Sequence, residues 1–220
     1  MSISHYLQVI NLLAAILLLI SFAMLSQRRI VGLITLFAWQ GAALATSTAL
    51  IAWATGQHHL YYSAGLTLVL KVVAMPWFFF RLVRRLDADR DVEPMINIPT
   101  TMLIGIALVI FAFNLALPIS AMSSTVMRST LGIAMAMVLL AFLMMITRTK
   151  AIPQVIGFLA MENGLFFAAT SATYGMPLVV ELGVALDVLV GVLVLGIFVF
   201  QIRETFDSLD LKHMENLKER

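Results

Sequence analysis

The sequence predicts an all-α, polytopic integral membrane protein with seven transmembrane helices. Of its 220 residues, 61% are hydrophobic and only 12% are charged, and the mean hydropathy is +1.00. Soluble domains carry about 25% charged residues, so this composition excludes a water-soluble enzyme. The chain has no cysteine, which excludes disulfides, iron–sulfur ligation by its own thiolates and structural zinc–cysteine sites. Its four histidines are too scattered to suggest a metal centre.

Seven apolar stretches are long enough to cross a bilayer, which takes about 20 residues in a helix. They cover residues 3–26, 30–55, 60–82, 98–119, 126–147, 151–174 and 178–202. Charges or turn-forming residues interrupt the apolar pattern at 27–29, 56–59, 81–99, 118–128, 147–153 and 174–177, where the backbone can reach water. The first stretch lacks a basic leader and a small-residue cleavage site, so we expect a retained helix and not a signal peptide.

The positions of the basic residues predict the orientation of the chain. With seven spans, 12 of the 14 Lys and Arg residues fall on the side of the membrane that holds the C-terminus. The opposite side has only Arg128, and Lys71 lies inside a span. Cytoplasmic loops are enriched in Lys and Arg, so the N-terminus is predicted outside and the C-terminus inside.

Three ionisable residues lie near the middle of their predicted spans: Lys71, Glu162 and Asp187. A charge at the bilayer centre costs at least about 2.5–3.5 kcal/mol, so such residues usually face protein or water. Titratable groups at this depth are typical of a proton or ion path, although buried ion pairs that orient helices would also place them there. Three such residues in one chain favour the path. Gln40, Asn163 and Glu181 are candidates for a secondary polar path.

Small residues predict where the helices pack, because they let neighbouring backbones approach closely. The predicted packing faces are Ser63, Ala64, Thr67, Lys71 and Ala74 on the third span, Gly157, Ala160, Gly164 and Ala168 on the sixth, and Gly183, Asp187 and Gly191 on the seventh. Glu162 points away from the packing face of its own helix. The sixth span is therefore expected to meet two different neighbours, one of which could belong to another subunit.

Residues 157–191 closely resemble hydrogenase-4 component E. The run Met161-Glu162-Asn163-Gly164, followed by Glu181-x-Gly183-x-x-x-Asp187, carries this resemblance. The stretch from Tyr62 to Pro76 and the tail 209–218 extend it over nearly the whole chain. That family is a membrane subunit of group 4 nickel–iron hydrogenase and formate hydrogenlyase complexes, which are relatives of respiratory complex I.

The resemblance implies a division into three regions. Residues 1–125 would form helices one to four with a cytoplasmic loop at 83–97, residues 126–202 a three-helix unit similar to the K subunit of complex I, and residues 203–220 a cytoplasmic tail. That K subunit carries two intramembrane glutamates on consecutive helices. Asp187 falls on the second position, whereas the first is Leu159 here and Glu162 lies one turn further on.

The resemblance also implies the function and the partners. Redox chemistry would take place in partner subunits that hold nickel–iron and iron–sulfur centres, and no cofactor is expected in this chain. The expected location is a bacterial inner membrane, and the expected partners there are antiporter-like and quinone-site-like membrane subunits and a peripheral hydrogenase arm. Glu162 and Asp187 would relay protons, with Lys71 as their charge partner. The alternatives are an antiporter component or standalone secondary transporter, and a purely structural linker subunit.

Overall fold

A computed structural model describes residues 3–85, 95–121 and 125–173 of the chain. Within these ranges every regular element is helical, so the all-α prediction is confirmed there. The seventh predicted span, 178–202, lies outside the described residues, as does the predicted tail 203–220. The seven-span count and the orientation remain predictions.

The helices follow one another with short connections. α1 covers Ile3–Ser26, α2 Ile30–Thr55, α3 His59–Thr67, a π-helical segment Leu68–Ala74, α4 Met75–Arg85, α5 Ile98–Ala121, α6 Thr125–Thr147 and α7 Ala151–Thr173. In the described part of the chain, six stretches are helical, long and apolar enough to cross a membrane: Gln8–Ser26, Ile30–Thr55, Leu60–Arg84, Ile98–Pro118, Thr130–Thr147 and Ala151–Ser171. They correspond to the first six predicted spans, and the chain is a membrane protein.

Apolar side chains from four helices form the centre of the bundle. α1 packs against α2 and α6, and α7 packs against α6 and α2. Their buried side chains meet in one cluster made of Ala14, Leu17, Leu44, Ala134, Met137, Phe166 and Phe167. This arrangement leaves the polar side chains of α2 and α7 facing each other inside the bundle.

The two ends of the bundle can be named by residues that lie there. α2 stops at Gly56, whose φ of 69° is a left-handed conformation that glycine adopts without strain. At the other end of α2, Arg148 is buried and its guanidinium donates to the carbonyl oxygens of Leu25 and Gln27 at 2.7 and 2.9 Å. We refer to these as the Gly56 end and the Arg148 end.

Arg148 lies in the connection between the fifth and sixth predicted spans, where the sequence predicts contact with water, yet its side chain is buried. Its guanidinium binds carbonyls at the C-terminus of α1, where a helix has unsatisfied acceptors and the negative end of its dipole. Burial lowers the pKa of this guanidinium below its ordinary value, yet arginine stays protonated in proteins. Arg148 thus joins the α6–α7 connection to the end of α1.

The predicted glycine face of the sixth span packs against α6. A Cβ added at Gly164 would lie 3.0–3.2 Å from atoms of Met137 and Val138, and one added at Gly157 would lie 2.8 Å from Met145. The two helices approach this closely because the glycines have no side chains.

The third span differs from the uninterrupted helix that the sequence predicts. Residues Leu68–Ala74 form a π helix, and the Met75 N–H donates to the carbonyl of Leu70 five residues earlier. Pro76 has no N–H to continue that pattern, and its ring disfavours a regular α-helical turn before it. The wider turn rotates the buried face, so Ala74, predicted on this face, is exposed and Pro76 is buried instead.

Candidate functional site

Lys71 and Glu162 form a buried ion pair between the third span and α7. The Lys71 Nζ lies 3.4 Å from Glu162 Oε1, and the two side chains are 2% and 3% exposed. Each residue lies near the middle of its candidate span, Leu60–Arg84 or Ala151–Ser171. The pair therefore lies at the depth where lipid offers no water to solvate a charge.

A chain of hydrogen bonds connects this pair to two further helices. The Lys71 ammonium donates to Asn163 Oδ1 at 2.7 Å, and Asn163 Nδ2 donates to Gln40 Oε1 at 3.0 Å. Gln40 Nε2 donates to the Ser21 hydroxyl at 3.0 Å, and that hydroxyl donates to the carbonyl of Leu17 at 2.9 Å. The third span, α7, α2 and α1 thus share one polar network.

The charge of Lys71 sets the direction of every bond in this chain. An ammonium has donors only, so the amide of Asn163 must present its oxygen to Lys71 and its nitrogen to Gln40. Gln40 then has its oxygen occupied and must donate through nitrogen to Ser21. Because each amide has one orientation that satisfies both neighbours, the chain holds the ammonium in a defined place.

Gly41 permits the close approach of α2 to the third span. A Cβ at this position would lie 2.9 Å from Lys71 Cβ and 3.4–3.5 Å from the Lys71 backbone. Lys71 lies inside the π segment, and π turns inside helices occur frequently at functional sites. The missing side chain of Gly41 and the π turn of Lys71 together place the ammonium between α2 and α7.

Phe166 gives Lys71 an apolar neighbour. The Lys71 Nζ lies 5.8 Å from the centroid of the Phe166 ring, within reach of a cation–π attraction. Phe166 also belongs to the apolar cluster at the centre of the bundle. The ammonium therefore lies between a carboxylate, an amide oxygen and an aromatic ring, with 2% of the lysine exposed.

Two buried hydroxyls lie towards the Gly56 end from this network. Within the described residues, the Ser47 and Ser63 hydroxyls make no hydrogen bond, although both residues are at most 3% exposed. Other hydroxyls in the bundle bond to their own helix; Thr48, for example, donates to the carbonyl of Leu44 at 3.0 Å. The hydroxyls of Ser47 and Ser63 therefore lack the hydrogen bond to a backbone carbonyl of their own helix that usually satisfies a buried serine or threonine.

The structure brings together four of the residues that the sequence analysis selected. Lys71, Glu162, Asn163 and Gln40 meet in one network instead of two separate paths. Asp187, Glu181, Gly183 and Gly191 lie outside the described residues. Where the chain is described, no group of His, Asp and Glu could hold a metal ion.

The sixth predicted span contacts three described elements of this chain through two of its faces. Gly157 and Gly164 face α6, whereas Glu162 and Asn163 face the third span and α2. The expectation that another subunit also contacts this helix stays a prediction.

The roles of Ser21 and Gly41 in this network could not be predicted from the sequence. α1 has a second serine, Ser26, whose hydroxyl donates to the carbonyl of Ala23 on the same helix. Which of the two serines faces Gln40 depends on how α1 is rotated about its axis. Gly41 directly follows Gln40, and this adjacency to a predicted polar residue is the one feature of the sequence that could have indicated its role.

The chain is similar over its whole length to the uncharacterized protein Rv0085 of Mycobacterium tuberculosis, with 32% identity over 220 residues and 100% of both chains covered. It is more distantly related to hydrogenase-4 component E of Escherichia coli K12 and of Shigella flexneri. Those alignments have 21% identity over 210 residues and cover 96% of this chain and 97% of the relatives. No family model matches the chain, and no solved structure does either.

Proposed function

Because this chain belongs to the family of the uncharacterized protein Rv0085 and is a distant relative of hydrogenase-4 component E, we propose that it is a membrane-arm subunit of a hydrogenase complex related to complex I. In this proposal the redox reaction takes place in partner subunits that hold nickel–iron and iron–sulfur centres. This chain contributes to proton translocation across the bacterial inner membrane and carries out no redox step itself.

The observation that carries this proposal is the buried pair of Lys71 and Glu162. Ion pairs at this depth stabilise a fold weakly, since desolvation offsets their attraction, and apolar residues of similar volume often serve as well. A titratable pair inside the membrane is therefore better explained by a function that needs titration.

Transfer of a proton within the pair leaves its net charge unchanged. When the ammonium of Lys71 transfers a proton to the carboxylate of Glu162, the N–H bond breaks, an O–H bond forms, and an amine and a neutral acid remain. Glu162 then releases the proton onwards, which leaves a carboxylate, and the amine of Lys71 takes up another proton, which restores the ion pair. An uncompensated charge in the low-dielectric interior is avoided during the transfer itself.

The amide chain has a positioning role in this mechanism. Asn163 and Gln40 do not titrate, so they keep Lys71 in place while its protonation changes. An amine still has two N–H groups, one of which can donate to Asn163 Oδ1. Asp187 is proposed as a second relay carboxylate on the seventh span, and Glu181 as a secondary polar group.

The test is proton translocation by membrane vesicles that contain the native complex, normalised to electron transfer. An affinity tag on this chain should first recover hydrogenase-type partner subunits. Glu162→Gln, Lys71→Met and Asp187→Asn are then expected to give assembled complexes with working redox sites and impaired coupling. Thr170→Val is a matched control, because this buried hydroxyl bonds only to the carbonyls of Phe166 and Phe167 on its own helix.

The two alternatives give different results in the same experiment. A standalone transporter would be recovered without redox partners. A structural linker would assemble with them, and its Glu162→Gln and Asp187→Asn variants would couple normally. The third span stays helical through the π segment. It therefore has no broken-helix ends of the kind that form substrate sites in many transporters, which favours the complex over a standalone transporter.

A further inference from the structure

An open pocket lies on the outside of the third span near the Arg148 end. Trp77, Phe80, Arg81 and Arg84 line it, and its volume is about 490 Å³. These residues lie outside the polar network of Lys71, and neither the proton path nor the helix packing described above uses them.

The pocket presents two guanidinium groups beside an indole ring. Arg81 and Arg84 are exposed, and their spacing of three residues places them on one face of α4. The Arg81 guanidinium lies 5.5 Å from the centroid of the Trp77 ring, which holds it by cation–π attraction. Within the described residues, neither arginine takes part in an ion pair.

An exposed apolar strip leads from membrane depth to these arginines. Val69, Val73 and Trp77 are 55%, 58% and 62% exposed, and each lies in the candidate span Leu60–Arg84. Val73 precedes Arg81 by eight residues, a rise of about 12 Å along a helix. The same face of the span is therefore apolar where acyl chains lie and cationic where headgroups lie.

We propose that this pocket binds an anionic phospholipid, with its phosphate on Arg81 and Arg84 and an acyl chain along Val69 and Val73. Guanidinium forks match phosphate oxygens in geometry and charge. Tryptophan at a membrane boundary places its ring at headgroup level, and basic pockets beside transmembrane helices bind anionic headgroups. A lipid uses both the apolar strip and the arginines, whereas a free phosphate uses only the arginines.

Tryptophan fluorescence of the full chain in vesicles tests the proposal. The chain has three tryptophans, so Trp39→Phe with Trp53→Phe leaves Trp77 as the only emitter. Vesicles of phosphatidylcholine with a minor fraction of phosphatidylglycerol carry bromine on one lipid or on the other, and bromine quenches only emitters that it contacts. The control keeps Trp53 alone, since this residue is exposed near the Gly56 end.

Brominated phosphatidylglycerol is expected to quench Trp77 far more than its mole fraction in the vesicles predicts. It is expected to quench Trp53 only in proportion to that mole fraction. Arg81→Gln and Arg84→Gln should each reduce the preference at Trp77 about fivefold. Replacing the exposed Arg28 and Arg29 by Gln should leave it unchanged.

Three results would overturn the proposal. One is proportional quenching of Trp77 in the chain with both arginines present. Another is displacement of the lipid by inorganic phosphate at physiological concentration, which would make the ligand a free anion. The last is a preference of Trp77 for phosphatidylglycerol that appears only when Asp87, Asp89, Asp91 and Glu93 are neutralised. In that case the chain's own acidic loop, and not a lipid, would be the ligand of the two arginines.

Discussion

The Lys71 ammonium lies 3.4 Å from a carboxylate oxygen of Glu162, and it donates to the neighbouring Asn163 at 2.7 Å. Two consecutive residues of α7 thus hold one lysine of the third span, one by charge and one by a hydrogen bond. Two adjacent side chains of a helix differ by about 100° in direction, so Lys71 must lie between them. The π segment and Gly41 make that position possible.

The first prediction concerns the stability of the charge pair. Removing one partner of a buried pair leaves the other uncompensated and typically costs about 3–5 kcal/mol. Lys71→Met and Glu162→Gln should therefore each lower the free energy of unfolding of the chain in detergent micelles. The double variant should be less destabilised than the sum of the two, because neither charge is then left alone. Additive effects would show that the two side chains do not interact.

Gly41→Ala should disturb the site without altering any polar group. The new Cβ would lie 2.9 Å from Lys71 Cβ, and overpacking of this kind costs about 1–3 kcal/mol. We expect lower stability and reduced proton coupling. Gly65→Ala is the matched control, since a Cβ there meets nothing within 4 Å and alanine favours a helix by about 1 kcal/mol over glycine. Equal effects of both substitutions on unfolding and on coupling would contradict the proposed contact.

Ser63→Ala should leave stability unchanged or raise it. The Ser63 hydroxyl is buried and makes no hydrogen bond within the described residues, and such a group carries a desolvation penalty of about 1–3 kcal/mol. Ser21→Ala should instead lower stability, because it removes the acceptor of Gln40. Thermal unfolding of the two variants in the same detergent compares them directly, and a clear loss for Ser63→Ala would mean that its hydroxyl has a partner.

Arg148→Gln should weaken the Arg148 end of the bundle. The substitution removes the charged donor that binds Leu25 and Gln27, and hydrogen bonds to charged groups contribute about 1.5–3 kcal/mol each. Faster hydrogen exchange at the end of α1 would report the loss. Arg28→Gln, at an exposed position of the same end, should show no such change; if it does, the effect comes from net charge and not from the specific contacts.

The orientation of the chain can be tested by labelling, since it has no cysteine of its own. Single cysteines at positions 57 and 88 are expected to react with impermeant thiol reagents from opposite sides of the membrane, because an odd number of spans separates them. Position 57 should react from the outside, as the distribution of basic residues predicts. Labelling of both from one side would refute the topology.

The helical class and the bounds of six spans could be predicted from the sequence because they depend on local properties. A run of apolar residues and its flanking charges decide whether a segment crosses a membrane, whatever it packs against. Lys71 and Glu162 could be predicted for the same reason, since a charge within an apolar run is detectable without any knowledge of its neighbours. Gln40 and Asn163 could also be predicted as buried polar residues, but only as members of a secondary path separate from the charges.

Which of these side chains meet was decided by the tertiary structure. Contact across helices depends on how each helix is rotated about its axis and on how closely the backbones approach, and both are set by packing over the whole bundle. The π segment before Pro76 changes that rotation within the third span, so the periodicity that correctly buried Lys71 wrongly buried Ala74. Ser21 and Arg148 illustrate the same limit. A serine in an apolar helix and an arginine in a basic connection look ordinary in sequence, and only the fold places one beside Gln40 and the other at the end of α1.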